Sequence, residues 1–240
     1  VSTVPASPRR WLAAWGVHLL TASSAAAGIL AVLAAERGDP APALWWMAYT
    51  VAADAIDGTL ARAVGVKQVL PNFDGTRLDD IVDYFTWVIV PMLFMLWTDL
   101  LPPAIAVPLA CTVAVASAYQ FCRTDAKTAD HYFTGFPSYW NIVAFYLYAL
   151  SWPTAANAAV VVAFAVLIFV PIRYVYPSRT PALRSLTVGL GLAWGAAVLL
   201  ALYQLLRDGV ASEPLVLGSL LFPIYYGGLS LVLTGQRVSR

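Results

Sequence analysis

Long apolar stretches separated by short polar ones set the pattern of this chain. Windows of about 19 residues mark eight such stretches, at 11–35, 42–64, 77–97, 101–122, 132–152, 154–172, 185–206 and 214–234. About 20 mostly apolar residues carry a helix across the hydrocarbon core of a bilayer, so the pattern predicts an all-α, polytopic membrane helix bundle. The first stretch, Trp11 to Ala35, is longer than a signal-peptide core of roughly 7–15 residues and is expected to be a retained span. The fifth is dense in Tyr and Trp and carries Asn141, features it shares with an interfacial segment.

Lys and Arg accumulate in cytoplasmic loops, so their distribution tests the number of crossings. With eight spans and the N-terminus inside, Arg9, Arg10, Arg62, Lys67, Arg77, Arg123, Lys127, Arg173, Arg179, Arg184, Arg237 and Arg240 are cytoplasmic, and only Arg37 and Arg207 lie opposite. Removing the fifth crossing moves Arg173, Arg179, Arg184, Arg237 and Arg240 out and Arg207 in, which leaves eight against six. The charges favour eight spans with both termini cytoplasmic. No repeat or linker divides the chain, and 1–240 is expected to be a single domain.

Composition agrees: 60% of residues are hydrophobic and 11% charged, where a soluble domain has about 25% charged. A net charge of +1 supplies no positive field for nucleic acid, so partners are to be sought in the membrane. Cys111 and Cys122 fall on one predicted helix, where eleven residues of rise separate them by about 16 Å, too far for a disulfide. Pro91, Pro108, Pro171 and Pro223 lie in or near spans, where local helix adjustments accommodate them.

Five aspartates gather at the cytoplasmic ends of the second and third stretches. An acid at the centre of a membrane helix costs at least about 2.5–3.5 kcal/mol, so it faces protein or water and has a role. Asp54, Asp57, Gly58, Ala61 and Arg62 share one helical face, and Gly75, Asp79 and Asp83 share another. Asp80 is turned about 100° away. Two antiparallel helices can thus bring four carboxylates together, a repulsive arrangement unless cations sit between them. Oxygen donors without His or Cys suit Mg²⁺ or Mn²⁺, and two such ions can clamp a diphosphate. The small residues leave room for a nucleotide, and Arg62 offers a planar fork to phosphate.

The string Asp54-x-x-Asp57-Gly58-x-x-Ala61-Arg62, twelve residues, then Gly75-x-x-x-Asp79-x-x-x-Asp83 resembles the signature of the CDP-alcohol phosphotransferase family at all eight positions. The gap of twelve is longer than in most members. Segments 57–84 and 119–146, with Trp15-Gly-Val-His-Leu19, resemble the bacterial branch of that family that accepts choline. The resemblance implies transfer of a phosphatidyl group from CDP-diacylglycerol to choline, with release of CMP, at a pair of Mn²⁺ or Mg²⁺ ions. It implies metal ligands at Asp54, Asp57, Asp79 and Asp83, with Asp83 also the base, and a CDP site at Asp54, Gly58, Ala61, Arg62 and Gly75. It also implies a homodimer in the bacterial inner membrane, with the site facing the cytoplasm.

Choline is a quaternary ammonium with no N–H, so aromatic faces and carboxylates are its receptors. Tyr84, Trp87, Tyr119, Tyr132, Phe133, Tyr139, Trp140 and Tyr146 are candidates, although aromatics also gather at membrane interfaces. In the loop from Arg123 to His131, Arg123 or Lys127 can bind a lipid phosphate and Asp125 or Asp130 can attract choline. Arg173 and Arg179 offer further phosphate contacts, and positive-inside anchoring explains them equally well. His18, alone in an apolar span, is expected to be a hydrogen-bonded buried histidine rather than a ligand. The rival acceptors are serine, inositol phosphate and glycerol phosphate. Phosphorylated alcohols would need a basic pocket, whereas 119–146 offers aromatics and mixed charge. An ion-coupled transporter is the remaining alternative, and such proteins often carry paired repeats, of which none is visible.

Overall fold

The computed structural model describes residues 7–128, 130, 132–177, 180 and 182–238. It is almost entirely helical. Helices α1 (Pro8–Glu36) and α2 (Pro40–Val64) pack antiparallel along their length. The buried face of α1 is made of small residues, including Ala14, Ser24, Ala27, Gly28, Ala31 and Ala35, which allow helix axes to approach closely. Gly28 shows how close: a Cβ there would stand 2.7 Å from Phe85 Cε1.

Arg62 and Gly75 are separated by a twelve-residue gap, and part of it forms a helical turn, α3 (Val66–Val69). Gly65, at φ 71°, ends α2 in the left-handed conformation and starts this turn. Val66 and Leu70 then pack on Ala14 and Val17 of α1, so the extra length closes the loop over the end of the first helix.

A continuous rod follows, built of α4 (Gly75–Asp83), a π-helical turn (Tyr84–Ile89) and α5 (Val90–Trp97). Asp74 caps the rod by accepting from the Arg77 backbone N–H at 3.0 Å. Pro91 follows the π turn. A proline in a straight α-helix has no N–H for the preceding turn and presses on its carbonyl, and the wider π turn relieves both conflicts.

Helix α6 (Pro103–Cys122) leads to a loop and a three-residue strand, β1 (Tyr132–Thr134). Helices α7 (Trp140–Leu150) and α8 (Thr154–Leu167) form a hairpin, and β2 (Arg173–Val175) pairs antiparallel with β1, Phe133 opposite Tyr174. Helices α9 (Arg184–Asp208), α10 (Glu213–Ser219) and α11 (Leu221–Val238) complete the described chain. The free edge of β2 is satisfied by α11, with Arg173 N–H donating to Thr234 Oγ1 at 2.8 Å and Val175 N–H to Ser230 Oγ at 3.1 Å. The core runs through α1, α2, the rod, α6, α7 and α8, with Phe94, Met95, Trp140 and Leu147 fully enclosed.

Among the described residues five helical segments are long and apolar enough to cross a membrane: Pro8–Glu36, Gly75–Trp97, Pro103–Cys122, Arg184–Asp208 and Glu213–Gly235. Helix α2 has the length, at 25 residues, but carries Asp54, Asp57 and Arg62 and is less apolar. The stretches 132–152 and 154–172 differ most from expectation. Their helices span only 11 and 14 residues, because 132–134 is drawn into the small sheet and 168–172 turns to enter its second strand.

Candidate active site

The spacing expected from the sequence brings the acids together. Asp54 and Asp57 on α2 and Asp79 on α4 each offer a carboxylate oxygen, all within 4.8 Å of one another. Asp57 is buried, while Asp54 and Asp79 are half-buried. Asp83, one turn further along α4, stands outside this close group but within electrostatic reach of Asp54, Asp79 and Asp57. Asp80 faces away and meets Lys127 Nζ at 3.9 Å. The same ammonium attracts Asp54, Asp79 and Asp83. One exposed lysine cannot balance four clustered acids, so the group retains excess negative charge. Oxygen donors converging in this way fit a hard divalent cation.

Two residues of α1 pack against this cluster: Thr21, which the sequence did not single out, and His18, expected only to be a buried histidine. Thr21 Oγ1 donates to Asp57 Oδ2 at 2.6 Å in a buried contact. One turn earlier His18 lies over the start of α4, where a Cβ on Gly75 would collide with its ring. His18 therefore occupies the space that a bare glycine seemed to offer a nucleotide. Trp15 and Phe73 pack around it, the Phe73 ring centroid 4.4 Å away. Contrary to expectation, its buried Nε2 has no hydrogen-bond partner among the described residues. The one signal available was a threonine three residues after a histidine in an apolar span.

Gly58 and Ala61 are half-buried beside the acids, and Arg62 is exposed, donating to Thr59 Oγ1 at 3.0 Å. Its guanidinium makes no ion pair among the described residues.

The aromatic candidates separate. Trp87, on the π turn, is buried and reaches Asp54 with its indole N–H. Tyr139 lies 5.4 Å from Trp87, ring to ring, and within electrostatic reach of Asp54 and Asp83. The others are engaged elsewhere. Tyr84 donates to Ala114 O at 3.0 Å, and Tyr119 is exposed and stacks on Phe169 at 5.5 Å. Trp140 is fully buried and donates to Ser117 Oγ at 2.9 Å. Tyr146 bonds Ser219 at 2.8 Å. Phe133 packs on Tyr176 at 5.0 Å, and Tyr132 lies beneath the Arg173 guanidinium at 4.0 Å.

The loop charges pair with one another. Arg123 grips Asp125 with two bonds of 2.9 and 2.7 Å, and this hydrogen bonding holds the Asp125 carboxyl below the usual carboxylate range. Asp130 is likewise held low, first by Thr128 at 2.6 Å and then by Arg173, with which it forms an ion pair. Arg173 is thus engaged rather than open to a phosphate, although its buried Nε has no hydrogen-bond partner among the described residues. Arg179 and His131 lie outside the described residues.

Fold and site together define a helical membrane protein with an acidic cluster suited to a divalent cation. The chain is 48% identical to phosphatidylcholine synthase of Legionella pneumophila over 176 residues, 73% of this chain and 69% of that protein. Against phosphatidylcholine synthase of Pseudomonas aeruginosa it is 35% identical over 205 residues, 85% and 84% of the two chains. Against that of Rhizobium meliloti it is 32% identical over 226 residues, 94% and 92%. No protein-family model matches the chain. This chain belongs to the phosphatidylcholine synthase family.

Proposed function

We propose that this protein is a CDP-diacylglycerol–choline O-phosphatidyltransferase, forming phosphatidylcholine and CMP. The observation that carries the reading is the convergence of Asp54, Asp57 and Asp79 within 4.8 Å, with Asp83 beside them. Asp54, Asp57 and Asp79, with Asp83 at the edge, would hold one or two Mg²⁺ or Mn²⁺ ions. When bound, such ions offset the negative charge of the diphosphate and of the departing CMP.

The side chains supply the rest. Arg62, which has no acidic partner among the described residues, receives a phosphate of the nucleotide. Asp83 accepts the proton of the choline hydroxyl as that oxygen bonds to the lipid-bearing phosphorus and the bond from phosphorus to CMP breaks. Most of the rate comes from positioning and electrostatics. Lys127 stands over the acids and meets the anionic lipid portion as it enters. Trp87 and Tyr139 line the acceptor side, and the exposed cations beside the cluster are too few for a phosphorylated alcohol, which favours choline over glycerol phosphate or inositol phosphate.

We infer a topology with both termini and the acids at the cytoplasmic face of the bacterial inner membrane. Helices α7 and α8 make the fifth and sixth passes, both shallow. Because they come as a pair, the chain returns to the same side after them, and the twelve-to-two partition of Lys and Arg is kept.

The test is incorporation of radiolabelled choline by purified protein in CDP-diacylglycerol liposomes. Labelled phosphatidylcholine and equimolar CMP are expected, both lost on chelation and restored by Mn²⁺ or Mg²⁺. Activity with glycerol phosphate or serine but not choline would overturn the acceptor, and CMP release insensitive to chelation would overturn the metal.

A further inference from the structure

Four aromatic side chains from separate parts of the chain form a series that starts at the acids: Trp87 on the π turn, Tyr139 just before α7, Tyr226 on α11 and Tyr174 on β2. Trp87 and Tyr139 are 5.4 Å apart, Tyr139 and Tyr226 are 6.2 Å apart, and Tyr226 stacks on Tyr174 at 6.0 Å. The series begins at the carboxylates, since Trp87 and Tyr139 both interact with Asp54 and Tyr139 also with Asp83. Its far end is unusual for a core. The Tyr139 and Tyr226 hydroxyls interact, yet Tyr226 Oη is buried and makes no hydrogen bond of good geometry among the described residues. A loose pair of this kind is a poor structural device, because a buried hydroxyl short of a well-formed hydrogen bond costs up to about 1–3 kcal/mol that phenylalanine would avoid.

Electron-rich faces, phenolic oxygens and adjoining carboxylates together suit a cation that has no N–H to donate. Choline imposes a further condition, because only two carbons separate its nitrogen from its hydroxyl. A receptor for the ammonium must therefore lie near the base, and Tyr139 stands within electrostatic reach of Asp83.

We propose that Tyr139, Tyr174 and Tyr226, with Trp87, form the receptor for the trimethylammonium group, so that β2 and α11 set acceptor specificity. This rests on the reading of the protein as a choline-accepting phosphatidyltransferase. Carboxylates alone would hold ethanolamine or serine as well as choline, and the tyrosine faces add the preference for a fully methylated nitrogen. The paired strands and the Ser230 and Thr234 hydroxyls fix Tyr174 in place from both sides.

The experiment compares choline with 3,3-dimethylbutan-1-ol, its uncharged carbon isostere, using wild type, Tyr226→Leu, Tyr174→Leu and the corresponding Phe variants. All are assayed by CMP release from CDP-diacylglycerol. The Leu variants are expected to raise the choline KM roughly five- to thirtyfold, the range of a desolvated cation–π contact, with the CDP-diacylglycerol KM unchanged. Preference for choline over the isostere should shrink by the same factor, and the Phe variants, which keep the ring face, should hold most of it. An unchanged choline KM, or equal losses with choline and the isostere, would overturn the receptor and leave the function standing. No choline-dependent CMP release by wild type would overturn both.

Discussion

Thr21 donates to Asp57 across 2.6 Å, joining the first helix to the helix that carries two of the acids. The contact is buried, so the carboxylate cannot turn to solvent for a substitute donor. The same carboxylate offers an oxygen within 4.8 Å of those of Asp54 and Asp79.

Replacing Thr21 by Val is expected to lower activity about ten- to a hundredfold, because a hydrogen bond to a charged group is worth about 1.5–3 kcal/mol. Thr21→Ser should retain most of it. Titrating activity with Mn²⁺ separates an effect on the cluster from general unfolding, since the Val variant should need more metal and the Ser variant should not.

Asp83→Asn should depress kcat by about 10²–10⁴, the usual contribution of a general base, with CDP-diacylglycerol binding preserved. Near-normal turnover in a variant that still binds metal and donor would assign the proton to another group.

Gly75→Ala should reduce both activity and thermal stability, because the methyl group meets the His18 ring. Adding His18→Ala should recover part of the stability lost in Gly75→Ala. Strictly additive losses in this double-mutant cycle would mean that the two residues do not conflict.

Asp130→Asn should loosen the β1–β2 pair by removing the ion pair with Arg173. The Asp130 pKa is lowered in the folded protein, so its contribution is complete above the ordinary carboxylate pKa of about 3.9. It is lost only as pH falls through the lowered value. Protease sensitivity of the loop should therefore rise equally at pH 6 and pH 8 in the variant. A difference confined to one of these would point to a different titrating group.

Much of this site could be read along the chain, because its spacing is helical. Asp54 and Asp57, like Asp79 and Asp83, share faces set by 3.6 residues per turn, and Asp80 was separable on the same ground. Thr21, Tyr174 and Tyr226 were not legible, and His18 was read as buried without its packing over Gly75, since these contacts run across packing that no local spacing records. The π turn was hidden too, with Pro91 as its only trace. The short strands were masked by apolar content: Tyr132 and Phe133 read as the start of a span, yet they pair with β2. Arg173 and Asp130 looked free for ligands because their mutual pairing depends on that sheet.

The reliance of β2 on Ser230 and Thr234 bears on biosynthesis. The acids, on α2 and α4, are made before β2, but the strand bearing Tyr174 lacks its edge partner until α11 emerges from the ribosome and inserts. On the proposed reading, the acceptor receptor would then be complete only once α11 is in place, and a chain clipped before α11 would keep the acidic cluster without that receptor.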